Sequence, residues 1–301
     1  MPQWIDELRF TFRERLVLNE PLSYRTTYRI GGPAEAAVFP ASAGELRFCL
    51  DVARKRGVRL TILGLGSNVL ADDAGLEGIV VFTTGMAAVS VNGSSVEAQC
   101  GAPLDKVVEA SVKGGLAGME MLSGIPGTVG GAVYMNAGAF NQETFDHLAG
   151  FSALTPEGRE LSFRKSDVKA SYRHVEGIEN LVILSARWEL SPGKAEELAA
   201  ARRDVLNRRG EKQPLEFPSA GSVFKRPQGD FASRLIDAAG LKGLTVGGAK
   251  VSEKHAGFII NAGGATAADV RGLMRKVQDE VKARSGVSLE LEQIILRRAS
   301  I

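Results

Sequence analysis

Histidine and cysteine are scarce in this chain of 301 residues: His147, His174 and His255 are the histidines, Cys49 and Cys100 the cysteines. Neither set has metal-ligand spacing, so no metal site is expected, and scattered histidines speak against a His-centred triad. Two cysteines in a chain this long read as buried free thiols in a reducing cytosol. An excess of one charge is also lacking: 37 Lys and Arg face 35 Asp and Glu, a net +2. That balance excludes a nucleic-acid or membrane-surface binder working mainly by electrostatics. No apolar run approaches bilayer length, and the N-terminal MPQWIDELRFTFRERL alternates charge with apolar residues, unlike an export signal. A cytoplasmic monomer without membrane insertion is the expectation. The composition, 44% hydrophobic and 24% charged, is that of an ordinary globular protein, long enough for two or three lobes.

One further absence is local. From Met121 to Gln142 the chain carries no charged side chain, and glycines stand at Gly124, Gly127, Gly130, Gly131 and Gly138. Glycine loses more backbone freedom on ordering than any other residue, so a dense cluster needs a reason. Backbone N–H groups approaching a large anion without side chains in the way supply one. A shorter turn, Gly64-Leu65-Gly66-Ser67-Asn68, has the same look. Two such turns suggest a ligand with an extended diphosphate, such as a dinucleotide. The shorter turn is neither a Walker loop nor a Rossmann fingerprint, since Gly-Lys-Ser/Thr, the third glycine and the following helix are all missing. Alone it reads as a tight strand-to-strand turn. The longer run is the stronger candidate, with Ser123, Thr128 and Asn136 as further polar groups; its competing reading is a closely packed Gly/Ala turn.

Local patterns organise the rest. Residues 1–20 form an N-terminal helical segment. Residues 21–191 make two lobes, about 21–84 and 85–191, and 192–301 a C-terminal domain beyond a composition shift at Ser191-Pro192-Gly193. Strands are predicted at 36–39, 58–63, 78–83, 89–91, 95–100, 181–190, 255–261 and 287–296. Pro156-Glu157-Gly158 predicts a hairpin between 151–154 and 160–163. Helices are predicted from Ser42 to Arg56 and from Thr266 to Arg284 by capping-box spacing. Others follow Pro103 up to Gly114-Gly115, run from Lys194 to Arg209, and run from Asp230 to Ala239.

A third site is the loop Pro218-Ser219-Ala220-Gly221-Ser222-Val223-Phe224-Lys225. It sets a hydroxyl between a flexible glycine and a basic residue. No histidine is near in sequence to activate Ser222 as a nucleophile; it could instead give a proton to a strongly basic intermediate, or merely satisfy its own loop. Arg173 and Glu292 have no special standing by pattern. Of the basic run at Arg202, Arg203, Arg208, Arg209 and Lys212, the last two lie near the serine loop and could reach a substrate phosphate.

Taken together, these segments closely resemble the UDP-N-acetylenolpyruvoylglucosamine reductase family. The likeness runs from about Leu22 to Leu296. It is carried by TTYRIGGP at 26–33, GLGSNVL at 64–70, SGIPGTVGGA at 123–132, NAGA at 136–139, SYR at 171–173, PSAGSVFK at 218–225 and SEKHAGFIIN at 252–261. The short chain resembles the compact subclass without the extra tyrosine-bearing loop. The resemblance implies an α+β fold: a two-lobed vanillyl-alcohol-oxidase-type FAD-binding domain and a smaller C-terminal α+β substrate-binding domain. It implies non-covalent FAD, NADPH as co-substrate, and a UDP-sugar enolpyruvyl ether reduced to UDP-N-acetylmuramate in cell-wall precursor synthesis.

By the same resemblance Arg173 stabilises enolate-like charge, Ser222 donates a proton, and Glu292 polarises the substrate carboxylate as a neutral acid. The FAD diphosphate would lie on Gly64, Leu65, Gly66, Ser67 and Asn68 and on Ser123, Pro126, Gly127, Thr128, Gly130 and Gly131, with Asn136 and Gly138 nearby. Arg209, Lys212, Lys225 and His255 would meet substrate. Three positions depart from the family pattern: Gln293 where a β-branched apolar residue is usual, His174 where a small hydroxyl residue is common, and Met135 where Gln is frequent. Glu290, two residues from Glu292 and on the same strand face, competes for the acid's role. The alternatives are another FAD oxidoreductase or oxidase of the same superfamily, and a flavin- or UDP-sugar-binding protein without turnover. Retained Arg173, Ser222 and Glu292 argue against the latter; a covalent flavin would favour the oxidase.

Overall fold

The structure, a computed structural model, describes residues 2–298. The chain packs into two compact units, each assembled from separate stretches. The first comprises Met1–Leu18, Ala36–Leu65 and Gly78–Arg209, the second Asn19–Glu35, Gly66–Glu77 and Gly210–Ile301. These packing units do not follow the continuous segments read from sequence. The physical reason is long-range pairing: Val69–Ala71 joins Ile294–Leu296 in parallel, Val69 opposite Ile294, and composition carries no trace of such a partner.

In the first unit, Leu60–Leu63 runs parallel to Leu76–Phe82, Leu60 opposite Ile79 and Leu63 opposite Phe82. The helix Ala43–Arg56 starts where Ser42 accepts the Glu45 N–H at 3.2 Å and stops at Gly57, φ 64°. Leu46, Cys49, Leu50 and Ala53 lie along one stripe of it and are buried, the spacing of an amphipathic helix. The expected hairpin is present, with Leu148–Leu154 antiparallel to Glu160–Arg164. It belongs to a five-stranded sheet in the order Glu160–Arg164, Leu148–Leu154, Val182–Glu189, Ser95–Gln99, Val89–Asn92. Trp188, fully buried, donates its indole N–H to Thr144 O at 3.0 Å. The N-terminal segment is helical only over Gln3–Phe12 and Arg13–Arg15, then becomes the strand Leu16–Pro21.

The second unit has its own core, built on Tyr28, Ile30, Leu70 and Phe224 with Leu235, Val251, Ile259, Val270 and Val277. A three-stranded antiparallel sheet orders Thr245–Val246, Ala249–Val251 and Ile259–Asn261. The helix Ala267–Ser285 opens with the full capping box of Thr266 and Asp269 and ends at Gly286, φ 74°. Two predicted strands are shorter than expected. Residues 255–258 turn rather than extend, because Ser252 Oγ accepts the N–H groups of Lys254 and His255. Of 287–296 only Ile294–Leu296 is a strand; upstream, a single bridge joins Leu291 to Phe224.

Candidate active site

The two glycine segments behave oppositely. In the long run most of the backbone donors are engaged, although among the described residues Thr128 N–H has no backbone acceptor. Ser123 N–H donates to Glu120 O, Gly127 to Ile125 O, Val129 to Ala102 O and Gly130 to Cys100 O. Gly124 N–H donates to Asp105 Oδ1 at 2.7 Å, and Gly131 N–H to Thr128 Oγ1 at 3.4 Å. Close packing explains several of these glycines: a Cβ on Gly130 would lie 3.1 Å from that of Cys100. The shorter turn differs. Among the described residues, the N–H groups of Gly64, Leu65, Gly66, Ser67 and Asn68 have no backbone acceptor in the chain. Gly66 turns with φ +61°, and a Cβ on Gly64 would overlap the Thr128 side chain within the first unit. The longer continuous run of open donors is 64–68. Such a run is an anion-binding arrangement.

Arg209 adds a second feature in the first unit. It is buried, at 7% exposure, and its Nε and Nη2 have no hydrogen-bond partner. Its guanidinium lies 5.4 Å from the Phe140 ring centroid, and a Cβ on Gly124 would stand 3.0 Å from its Cδ. Burial pulls its pKa below the ordinary arginine value. A buried cation with unpaired donors is costly unless an anion joins it. Seven residues earlier on the same helix, Ala195–Lys212, Arg202 instead pairs with Asp105 through two bonds of 2.5 and 2.8 Å.

Arg173, also in the first unit, sits in the turn between Ala170–Ser171 and His174–Val175. Its φ is +56°, a region where a β-carbon is uncomfortable. Nη2 donates to Gly138 O at 2.9 Å and Nη1 to Asn136 O at 3.3 Å, and the guanidinium lies 4.8 Å from the Tyr172 ring centroid. Asn136 is 1% exposed. Its amide is used inside the protein: Nδ2 donates to Glu143 Oε2 and Ser171 O, and Oδ1 accepts from Phe145 N–H. The side chain is thus engaged with the Arg173 hairpin.

In the second unit Ser222 is half-buried and bridges to Phe258. Val223 N–H donates to Gly257 O at 2.9 Å, and Glu292 N–H donates to Val223 O at 2.9 Å. The serine loop and the closing segment are thereby tied at Glu292 itself and one residue after Ser222. Glu290 lies further along: its carbonyl accepts the Lys225 N–H, and its largely exposed carboxylate is 3.7 Å from Lys225 Nζ. Sequence alternation left the two acids equivalent; the register places Glu292 beside the serine and Glu290 against Lys225. Gln293 departs from the family pattern. It is buried, donates from Nε2 to Ala220 O at 3.0 Å and Gly221 O at 3.2 Å, and accepts from the Tyr28 hydroxyl at 3.2 Å. Burial raises the pKa of that hydroxyl, so it stays a donor. A buried amide beside a serine loop is a signal that pattern reading passes over. Asn68 Nδ2 donates to Glu292 O at 3.1 Å.

His255, half-buried, accepts the Gly257 N–H on Nδ1 at 3.1 Å and meets Phe258 edge-on at 4.9 Å. Burial lowers its pKa. Lys212 ends its helix exposed. Arg173 and Arg209 belong to the first unit, and Ser222, Glu292, Lys212, Lys225 and His255 to the second.

An FAD cofactor fits these residues: Gly64–Asn68 offer a diphosphate consecutive N–H donors without backbone acceptors. An FAD binding domain model matches residues 34–164. Alkyldihydroxyacetonephosphate synthase, 18% identical, superposes with a TM-score of 0.50 over 64% of this chain and 41% of its own, a likeness of fold alone. The fold is that of a vanillyl-alcohol-oxidase-type FAD-binding protein with an added C-terminal α+β domain.

That added domain, residues 213–296, matches the model of the UDP-N-acetylenolpyruvoylglucosamine reductase C-terminal domain. The reductase of Pediococcus pentosaceus is 45% identical over 92% of this chain and 93% of its own length. That of Moorella thermoacetica is 43% identical over 95% of each. The solved structure of the reductase from Thermus caldophilus superposes with a TM-score of 0.81 at 32% identity, covering 94% of this chain and 98% of its own. The chain belongs to the UDP-N-acetylenolpyruvoylglucosamine reductase family. It is an enzyme, an FAD-dependent oxidoreductase with NADPH as co-substrate, and its family serves peptidoglycan synthesis. No described helix is long and apolar enough to cross a membrane.

Proposed function

We propose that this enzyme reduces the enolpyruvyl ether of UDP-N-acetylglucosamine to UDP-N-acetylmuramate. Membership of the family, at 45% identity over 92% of the chain, carries that reading. FAD, held at Gly64–Asn68, would supply the hydride chemistry, with NADPH as the source of the hydride that the vinyl group of the substrate receives. Hydride addition there leaves negative charge on the neighbouring carbon and its carboxylate. Arg173 opposes that charge with a guanidinium aimed before the charge develops. Ser222 gives its hydroxyl proton to the carbon bearing the carboxylate, an intermediate basic enough to take it from an alcohol. Glu292 holds the same carboxylate. Gly64–Asn68 carry the cofactor diphosphate, backed by Ser123–Gly131 and Gly138. Arg209 and Lys212 meet the substrate diphosphate, with Lys225 and His255 also toward substrate. A cytoplasmic monomer is part of the proposal.

Purified protein given NADPH and the enolpyruvyl substrate is expected to oxidise NADPH in step with substrate added, read by its absorbance. NADPH oxidation indifferent to that substrate would overturn the reading.

A further inference from the structure

We infer that Asn136 and Glu143 are positioning residues that fix the Arg173 guanidinium. The inference rests on the reading of Arg173 as the cation facing the substrate carboxylate. Two carbonyls receive the guanidinium, those of Asn136 and Gly138. Asn136 owns the first. Glu143 is the ladder partner of Gly138, which owns the second. The buried Asn136 amide links these pieces: Nδ2 donates to Glu143 Oε2 at 2.6 Å and to Ser171 O at 3.1 Å, in the strand that carries Arg173. One amide therefore holds both the acceptors of the guanidinium and the hairpin bearing it.

Backbone strain marks the same place. Asn136, Phe140, Asn141 and Arg173 all have positive φ, at 40°, 51°, 62° and 56°. Such conformations persist only where surrounding contacts over-determine them, and they gather where geometry matters. The Asn136–Glu143 bond is charge-assisted, the stronger kind. Without it the Asn136 amide can rotate, and the Gly138 and Asn136 carbonyls lose their common brace. A shift of the guanidinium by about 1 Å is expected to slow the step it serves about 100-fold.

The test separates the two half-reactions of the flavin-loaded enzyme. Flavin reduction by NADPH and flavin reoxidation by the enolpyruvyl substrate are followed by stopped flow in Glu143→Ala, Glu143→Gln, Arg173→Ala and the Glu143→Ala/Arg173→Ala double variant. Glu143→Ala is expected to slow reoxidation about 30- to 100-fold. Its flavin content and flavin reduction are expected to stay within about twofold of the parent. Glu143→Gln keeps an acceptor for Asn136 Nδ2 and is expected to recover to within about fivefold. The double variant should lose nothing beyond Arg173→Ala, since both changes remove one interaction. By calorimetry, Glu143→Ala should bind UDP-N-acetylmuramate about fivefold more weakly. Should alanine impair folding, Glu143→Asp shortens the reach and should slow reoxidation alone, about fivefold. If Arg173→Ala blocks reoxidation while Glu143→Ala leaves it intact, the positioning role is overturned and the reading of Arg173 stands. If Arg173→Ala reoxidises normally, the underlying reading falls first. Equal slowing of both half-reactions, or lost flavin, would mark a structural role and also overturn the inference.

Discussion

The Arg173 hairpin and the Ser222 loop solve opposite problems. Arg173 is fixed by its head group: the backbone is strained at φ 56°, and two carbonyls grip the guanidinium. Ser222 is fixed by its backbone. Its neighbour Val223 donates to Gly257 O and accepts from Glu292 N–H, and Gln293 braces the two preceding carbonyls. Among the described residues Ser222 Oγ has no hydrogen-bond partner. A cation that must oppose a developing charge has to be aimed in advance. A hydroxyl that gives a proton needs only its oxygen located, because the O–H rotates toward whatever accepts it. Precision is invested in the side chain in one unit and in the main chain in the other.

The sharpest way to break this contrast is Ser222→Ala. The backbone bonds of the loop do not involve Oγ, so the loop is expected to keep its shape. Turnover should fall about 1,000-fold or more, within the range of a lost general acid, while flavin reduction by NADPH stays largely intact. Rapid-mixing measurements of the two half-reactions check this. Equal loss in both would make Ser222 a structural residue and dissolve the comparison.

Gln293→Leu attacks the brace beneath that loop instead. It orphans the Ala220 and Gly221 carbonyls and the Tyr28 hydroxyl, all within the second unit. Leaving a buried polar group unpaired costs about 1–3 kcal/mol, and thermal or urea unfolding should register a loss of that order. An unchanged midpoint would show that the amide does not brace the loop.

The legible parts of the chain are those whose signals are local. Ser42 with Glu45 and Thr266 with Asp269 announce helix starts through side chains that reach only three residues. Pro156-Glu157-Gly158 announces a hairpin in the same way. Family motifs named the cofactor and the reaction because those residues lie in unbroken runs. What stayed illegible depends on partners far along the chain. Val69–Ala71 finds its partner strand at Ile294–Leu296, and no local pattern marks that pairing. In the charge-free glycine run composition does not say which N–H groups, such as those of Val129 and Gly130, already have acceptors. Gln293 looked like an oddity because its partners, Tyr28 and the serine loop, are distant in sequence.

A smaller effect tests the long glycine run as packing. Asp105 accepts the Gly124 N–H and pairs with Arg202. Chiefly through the Arg202 hydrogen bond, aided by the Gly124 N–H and against the pull of burial, its carboxyl is held below the usual range. The unfolded state then binds more protons in acid. The pair's contribution is complete above the ordinary aspartate pKa of about 3.9 and is lost as pH falls through the lower folded value. Asp105→Asn should be less stable than the parent at neutral pH, and that gap should narrow in melts taken from about pH 5 towards pH 2. A gap independent of pH would remove the charge pair from the account.

Glu290→Gln is expected to do almost nothing, and this sharpens the comparison at the serine end. The Glu290 carboxylate is 78% exposed and stands 3.7 Å from Lys225 Nζ, and an exposed pair of this kind contributes about 0–1 kcal/mol. Its backbone carbonyl, which takes the Lys225 N–H, survives the substitution. Turnover should therefore remain within about twofold of the parent, whereas Glu292→Gln should lose about tenfold or more if the acid lies next to the reacting carboxylate. The two acids differ in register, not in chemistry: Glu292 donates its N–H to the residue after Ser222, while Glu290 is bonded to Lys225, further along the loop. A reversed result, with Glu290→Gln crippled and Glu292→Gln active, would move the acid to the Lys225 end and detach it from Ser222.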